Sequence, residues 1–181
     1  MNEKLRAAII SALLLAFCSF GAQAEGWYVG GGAATSNLED DLDEDIDQGF
    51  GFALSAGYGA TSLFGIEVLL SSTIHEEDIT DDWVLNDTLM LGAKFSFGDG
   101  GFRPYLAGGI SANAVDFDNF DEITGDGTYW GIGADIFITE RHAINVSYRL
   151  NDWEGDDDVF DYDVSNKMLT VAYNFHFSGD Q

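Results

Sequence analysis

Four aspartates at alternate positions, Asp41, Asp43, Asp45 and Asp47, come nearest in this sequence to a metal-binding spacing. Carboxylates are hard oxygen donors of the kind that hold calcium or magnesium. The run has only the outline of a calcium loop, because Gln48 stands where the turn needs Gly and no Glu closes the set. Two readings stay open: divalent-cation binding, or a charge run that does no more than keep a loop hydrated. The histidines offer less. His75, His142 and His176 are widely separated, which argues against a shared metal site. His142 is followed two residues later by Ile144 and His176 by Ser178, so no nucleophile–base pair is read on a single segment. Gly30-Gly31-Gly32 precedes no helical pattern and is no phosphate loop. No catalytic residue and no cofactor is expected.

The aspartates belong to a charge balance that bounds the partners. The chain has 181 residues and a formal net charge of −25. Its first 24 residues have the make-up of a cleaved secretory signal: Lys4 and Arg6, an apolar run from Ala7 to Phe20, then Ala22-Gln23-Ala24. The expected organisation is therefore a signal peptide over 1–24 and one domain over 25–181. Removing Glu3, Lys4 and Arg6 with that segment leaves 31 acids and 5 bases. Such a surface repels phosphate, so nucleic acid is excluded as a partner. The single cysteine, Cys18, lies in the leader, so the remaining chain has neither a disulfide nor thiol chemistry.

The elements that position these groups are strands. In Leu89-Met90-Leu91-Gly92-Ala93-Lys94-Phe95-Ser96-Phe97, apolar residues alternate with small or charged ones. Period two means a strand. An apolar face backed by small and charged residues suits lipid outside and a narrow polar lumen inside. Eight such segments are read: about 27–34, 50–58, 63–73, 83–97, 102–114, 128–138, 142–150 and 164–177. The fifth is the least clear, since both of its faces are rather apolar. Short connections follow the second, fourth and sixth, at 59–62, 98–101 and 139–141. Long ones, about 35–48, 74–82, 116–126 and 151–163, follow the odd-numbered segments. With their flanks the long connections hold 25 of the acids and no Lys or Arg. Even strand number with short and long connections in alternation predicts an all-β, eight-stranded, antiparallel up-and-down transmembrane barrel. Termini and short turns are expected in the periplasm, and long acidic loops outside the cell.

Parity also places four charges. If the apolar residues face lipid, Glu67, Lys94, Asp135 and Arg149 all face inward. An eight-stranded barrel is just wide enough for side chains to fill it, and unpaired charge there is costly, so two acids and two bases are expected to pair. Such a network serves either as an electrostatic gate or as a polar core that holds the barrel together.

Gly26-Trp27-Tyr28-Val29-Gly30-Gly31-Gly32, Arg103 to Ile110, Ala143 to Arg149 and the last strand, Leu169 to Phe177, give the chain a family likeness. In these segments it resembles the small outer-membrane β-barrels that include OmpX, OmpW and the membrane domain of OmpA. In the last strand Tyr173, Phe175 and Phe177 are similar to the aromatic-ended signal that the barrel-insertion machinery reads, although Ser178 to Gln181 follow it here. The resemblance implies an integral outer-membrane protein. Its expected partners are outer-membrane lipid, lipopolysaccharide, the insertion machinery and periplasmic chaperones, with divalent cations at the acidic loops. The expected role is non-enzymatic: envelope integrity, surface interaction or cation retention. The alternative is a narrow porin-like channel for ions or small solutes. A lipid-modifying enzyme is the third class, and the His-x-Ser strand pair that one group of such barrels uses is missing.

Overall fold

The structure, a computed structural model, describes residues 26–40, 47–61, 63–76, 83–97, 101–117, 123–156 and 161–177. Residues 1–24, Asp41, Asp43, Asp45 and Ser178 to Gln181 lie outside them. Eight strands follow in chain order: β1 (Trp27–Asp40), β2 (Gly49–Gly59), β3 (Phe64–Glu76), β4 (Trp83–Ser96), β5 (Phe102–Phe117), β6 (Ile123–Phe137), β7 (His142–Asp156) and β8 (Asp161–Phe177). Each pairs antiparallel with its neighbours, and β1 pairs with β8 from Trp27↔Phe177 to Asp40↔Val164, which closes the barrel. Closure leaves no unpaired sheet edge along the paired residues, as a strand array surrounded by hydrocarbon requires.

Two of the short turns are held by a threonine hydroxyl. Thr61 Oγ1 accepts from the Leu63 and Phe64 amides at 3.2 and 3.0 Å, and Thr139 Oγ1 from the Arg141 amide at 3.3 Å. Outside, at this end, rings and large apolar side chains form a belt. Trp27 lies 5.1 Å from Tyr58 and Phe64 5.4 Å from Phe95, centroid to centroid, with Phe102 and Phe177 exposed alongside. Phe50, Trp83 and Trp130 form the matching belt toward the other end. Aromatic girdles at two heights are what amphipathic rings at two lipid–water boundaries produce.

The strands outrun the segments read from the sequence. Residues 35–40, 74–76, 115–117, 123–127, 151–156 and 161–163, assigned above to long loops or their flanks, are strand. The cause is an inversion of the pattern. Along the lipid-width part, apolar residues point outward and polar ones inward. Beyond Ala33, Ile74, Leu150 and Leu169 the outward positions turn polar: Thr35, Asn37 and Glu39 on β1, Glu76 on β3, Asp152 and Glu154 on β7, Lys167, Ser165 and Asp163 on β8. The inward positions turn apolar, and Leu38, Val84, Val115, Ile123, Trp153 and Val164 pack into a buried cluster. With water outside, this upper part obeys the rule of a soluble barrel and fills its interior with hydrocarbon.

Glycines set the cross-section. Four inward positions of β2 (Gly49, Gly51, Gly57 and Gly59) and four of β6 (Gly125, Gly127, Gly131 and Gly133) have no side chain. β1 approaches β3 across β2, and β5 approaches β7 across β6. The wall therefore bends most tightly at two opposite strands. A Cβ on Gly57 would lie 2.5 Å from the Tyr28 ring, which covers it. Gly57→Val is expected to push Tyr28 off its seat and cost about 1–3 kcal/mol as an overpacked core. Urea unfolding in lipid vesicles measures it, and an unchanged midpoint would contradict this packing.

Candidate functional site

The glycine-lined strands let side chains two strands apart meet inside the barrel. Tyr28 on β1 and Glu67 on β3 are both register partners of Gly57. Across it the Tyr28 hydroxyl donates to Glu67 Oε2 at 2.5 Å. Arg149 reaches Glu67 from β7, its Nη2 2.5 Å from Oε1, and its Nη1 donates to Ser147 Oγ at 2.7 Å. Lys94 Nζ donates to Asp135 Oδ2 at 2.7 Å and stands 4.0 Å from the Tyr105 ring centre and 5.2 Å from that of Tyr28. Asn145 Nδ2 donates to Asp135 Oδ1 at 2.7 Å. Glu67, Lys94, Asp135 and Arg149 are 3, 6, 5 and 1% exposed. The four residues singled out by parity thus lie in one lumen as two ion pairs, Arg149 with Glu67 and Lys94 with Asp135. Tyr28, Tyr105 and Asn145 complete the cluster; parity marks them as inward, but only their cross-barrel bonds bring them to the charges.

Above the charges the lumen is not uniformly polar. Leu69, Met90, Tyr129 and Met168 with small alanines form a buried apolar layer. Over it lies a polar girdle. Ser111 Oγ donates to Asn151 Oδ1 at 2.6 Å, and Asn151 Nδ2 to Asn113 Oδ1 at 2.7 Å. Across Gly49, Ser36 Oγ lies 2.9 Å from His75 Nε2 and 2.7 Å from Thr73 Oγ1. The other ring nitrogen, Nδ1, faces the Asp47 carbonyl at 2.9 Å. A carbonyl only accepts, so Nδ1 carries the proton in the neutral ring and Nε2 receives one from a hydroxyl. This is a serine–histidine pair within the reach that nucleophile activation needs, on two strands rather than the one strand searched above. Both side chains are buried, Ser36 1% and His75 0% exposed, at the level of the lumen below the apolar cluster of Trp153 and its neighbours. The arrangement satisfies buried polar groups. Its sequence signal is an inward glycine on the strand between.

Of the aspartate run only Asp47 is described. It is exposed, and its amide donates to the Glu76 carbonyl at 3.1 Å. No group of three or more His, Cys, Asp or Glu side chains able to hold a metal occurs among the described residues. Carboxylates instead ring the outside of the upper barrel, with Glu39, Glu76, Asp116, Asp126, Asp152, Glu154 and Asp163 all exposed. Lys167 is paired with Glu39 there, and that bond holds its ammonium above the ordinary lysine range. Tyr173, Phe175 and Phe177 point outward at the short-turn end of β8. Phe175 and Phe177 meet edge to face at 5.1 Å, and the Tyr173 hydroxyl bonds His142 Nδ1.

Comparison with known proteins agrees with this geometry. The family model described as the outer membrane protein beta-barrel domain matches residues 10–177. Neisserial surface protein A is similar at 19% identity and a TM-score of 0.73, over 84% of this chain and 97% of that one. OprG from Pseudomonas aeruginosa has 14% identity and a TM-score of 0.61, over 87% and 98%. Ail of Yersinia pestis, in complex with the heparin analogue sucrose octasulfate, has 20% identity and a TM-score of 0.55, over 83% and 99%. No curated protein sequence matches the chain significantly.

Proposed function

This chain belongs to the outer membrane protein beta-barrel domain family and is an integral outer-membrane barrel, and from that premise we propose that it is a non-enzymatic, non-conducting barrel whose acidic upper wall retains cations at the cell surface. The observation that carries this reading is the inversion of polarity along the strands. Carboxylates such as Glu39, Glu76, Asp152 and Glu154 stand on rigid, paired strands just above the outer apolar belt. That is the height of the anionic headgroups of lipopolysaccharide. Acid facing acid is tolerable only with cations between, and divalent cations with oxygen ligands fill that role. The long-loop end then faces outward and the short turns with both termini face the periplasm, as in the bacterial arrangement. Tyr173, Phe175 and Phe177 serve the insertion machinery and the chaperones that deliver the chain to it. Buried side chains at successive levels of the lumen favour this reading over the narrow channel. A sulfated polyanion of the kind bound by Ail is not an expected ligand, since the upper wall would repel it.

The test is calcium titration of the purified barrel in vesicles, followed by calorimetry. Changing Glu39, Glu76, Asp152, Glu154 and Asp163 together to their amides is expected to remove most of the calcium uptake while the barrel stays folded. Uptake equal to that of the unaltered protein would overturn the assignment of the upper wall.

A further inference from the structure

We propose that the barrel leans in the bilayer toward β3 and β4, so that outer-leaflet hydrocarbon covers an apolar patch that climbs these strands. The register gives every strand residue a height. Followed once round the barrel from Val171, through Ala33, Ser72 and Ala114, the register partners return to β8 at Asp161, ten residues nearer the long-loop end. Each step from strand to strand therefore climbs about one and a quarter residues, and one residue is about 2.5 Å along the axis at the usual strand tilt. On that scale the upper belt is oblique. Phe50 stands about three residues above Trp130, and Trp83 about seven to eight above it. Trp130, Leu150 and Leu169 are the last outward apolar residues of β6, β7 and β8, all at about one height, and Asp126, Asp152 and Lys167 follow them on the outer face. Ile74 on β3 and Leu85 on β4 stand about three to five residues higher.

The short-turn end shifts the same way. There the exposed Ile138, beside β6, and Phe177, on β8, reach about one residue lower than Leu63 and Phe97, beside β3 and β4. Both margins of the apolar band move together, as those of a flat slab do on an inclined cylinder. Its middle differs by about three residues, or roughly 7 Å, across the barrel. Lipid is the occupant that the patch fits. Phe50, Ile74 and Leu85 are successive register partners, so the patch is one row over three strands, continuous with Phe52 and Leu54 of the lipid-facing band. Covering that row with hydrocarbon while lifting Asp152 into water lowers the free energy on both counts. A second copy of the chain fits less well, since Glu76 and Asp116, register partners of Trp83 and Leu85, are exposed carboxylates at its flanks. Asp87 lies on the same face, half-buried and two positions below Leu85, close under the margin where an acid costs little. The lean also brings Glu76 and Asp152 to one level, each two positions above the last outward apolar residue of its strand. It needs only the lipid-facing band and stands apart from cation retention.

The test is depth, read from nitroxides attached singly at Leu85→Cys, Glu154→Cys, Phe97→Cys and Phe177→Cys in the full chain carrying Cys18→Ser, refolded in dioleoylphosphatidylcholine vesicles. Relaxation by oxygen marks hydrocarbon, and relaxation by a nickel chelate marks water. Leu85 and Glu154 stand at about one height on the barrel, so an upright axis gives them equal depth. The lean is expected to put Leu85 roughly 5–7 Å deeper in hydrocarbon. At the other end Phe97 stands about one residue higher than Phe177, so an upright axis puts Phe97 deeper, and the lean is expected to reverse that order. Ile74→Thr with Leu85→Thr, both on the outer face, is expected to abolish the reversal. Equal depths at Leu85 and Glu154 would overturn the proposal. Leu85 deeper without the reversal would mean that the bilayer thickens beside an upright barrel, which overturns it too. So would a nitroxide at Leu85 shielded from both oxygen and nickel, the mark of a protein occupant, or a reversal that survives loss of the patch.

Discussion

Arg149→Ala is expected to cost the barrel about 3–5 kcal/mol, the scale for stripping a buried charge of its partner, and less where water enters. Arg149 is 1% exposed, and its guanidinium spans Ser147 and Glu67. Its removal leaves the Glu67 carboxylate hydrogen-bonded to the Tyr28 hydroxyl, while Lys94 is committed to Asp135. The geometry then decides which second change repairs the first. Glu67→Ala added to Arg149→Ala removes the orphaned acid, and the double variant is expected to recover part of the loss. Asp135→Ala added to Arg149→Ala breaks both ion pairs and leaves Glu67 and Lys94, opposite charges that interact within the same lumen, so any recovery is expected to be smaller than with Glu67→Ala. Urea unfolding in vesicles, read as two double-mutant cycles, measures both. Additivity of Glu67 with Arg149 would mean the pair does not act as one. Planar-bilayer recordings of Arg149→Ala are expected to stay at baseline, because the apolar layer around Met90 and the cluster around Trp153 remain in place. Open-channel currents from that single change would restore the narrow-channel reading.

Parity along one strand was enough to place Glu67, Lys94, Asp135 and Arg149 inside, because side chains alternate between the two faces of a strand. It could not say which acid meets which base. Glu67 and Arg149 are 82 residues apart and meet across the lumen. Their meeting depends on strand tilt and stagger, which are properties of the closed barrel and not of any one strand. The Ser36–His75 pair was hidden for a related reason: it joins β1 to β3 over Gly49, a contact that exists only because the strand between has no side chain there. The upper wall was missed because the lipid rule was applied past the lipid. In Ile123-Thr124-Gly125-Asp126-Gly127 the alternation continues, but with its polar face outward, so a search for outward apolar residues ends at Thr128. The apolar second face of β5 has the same source. Ala107 and Val115 are inward, one in each buried apolar layer. What remained legible throughout was the period, since an inversion of polarity leaves it at two.

Arginine placed at two outward positions of β8 is expected to have effects of opposite sign. Val171 is 49% exposed on the outer face, between Ala33 of β1 and Val146 of β7. Val171→Arg puts a cation among hydrocarbon, at a cost on the order of 2–4 kcal/mol near the bilayer midplane and less toward a boundary. Leu91→Arg, at an equally exposed outward position of β4, is expected to behave alike. Ser165 lies six residues before Val171 on the same face, but above the belt, and its register partners are Glu39 on β1 and Asp152 on β7. Ser165→Arg gives up the hydroxyl bond to Asp152 Oδ1 and sets a guanidinium between two exposed carboxylates. Exposed pairs of that kind contribute roughly 0–1 kcal/mol, so a small gain is expected, and it should shrink as salt is raised. The sign change between 165 and 171 locates the height at which lipid gives way to water. Unfolding free energies in vesicles measure all three variants. Comparable losses at 165 and 171 would mean that hydrocarbon reaches the carboxylates, and the division of the barrel into a lipid-facing part and a water-facing part would then be wrong.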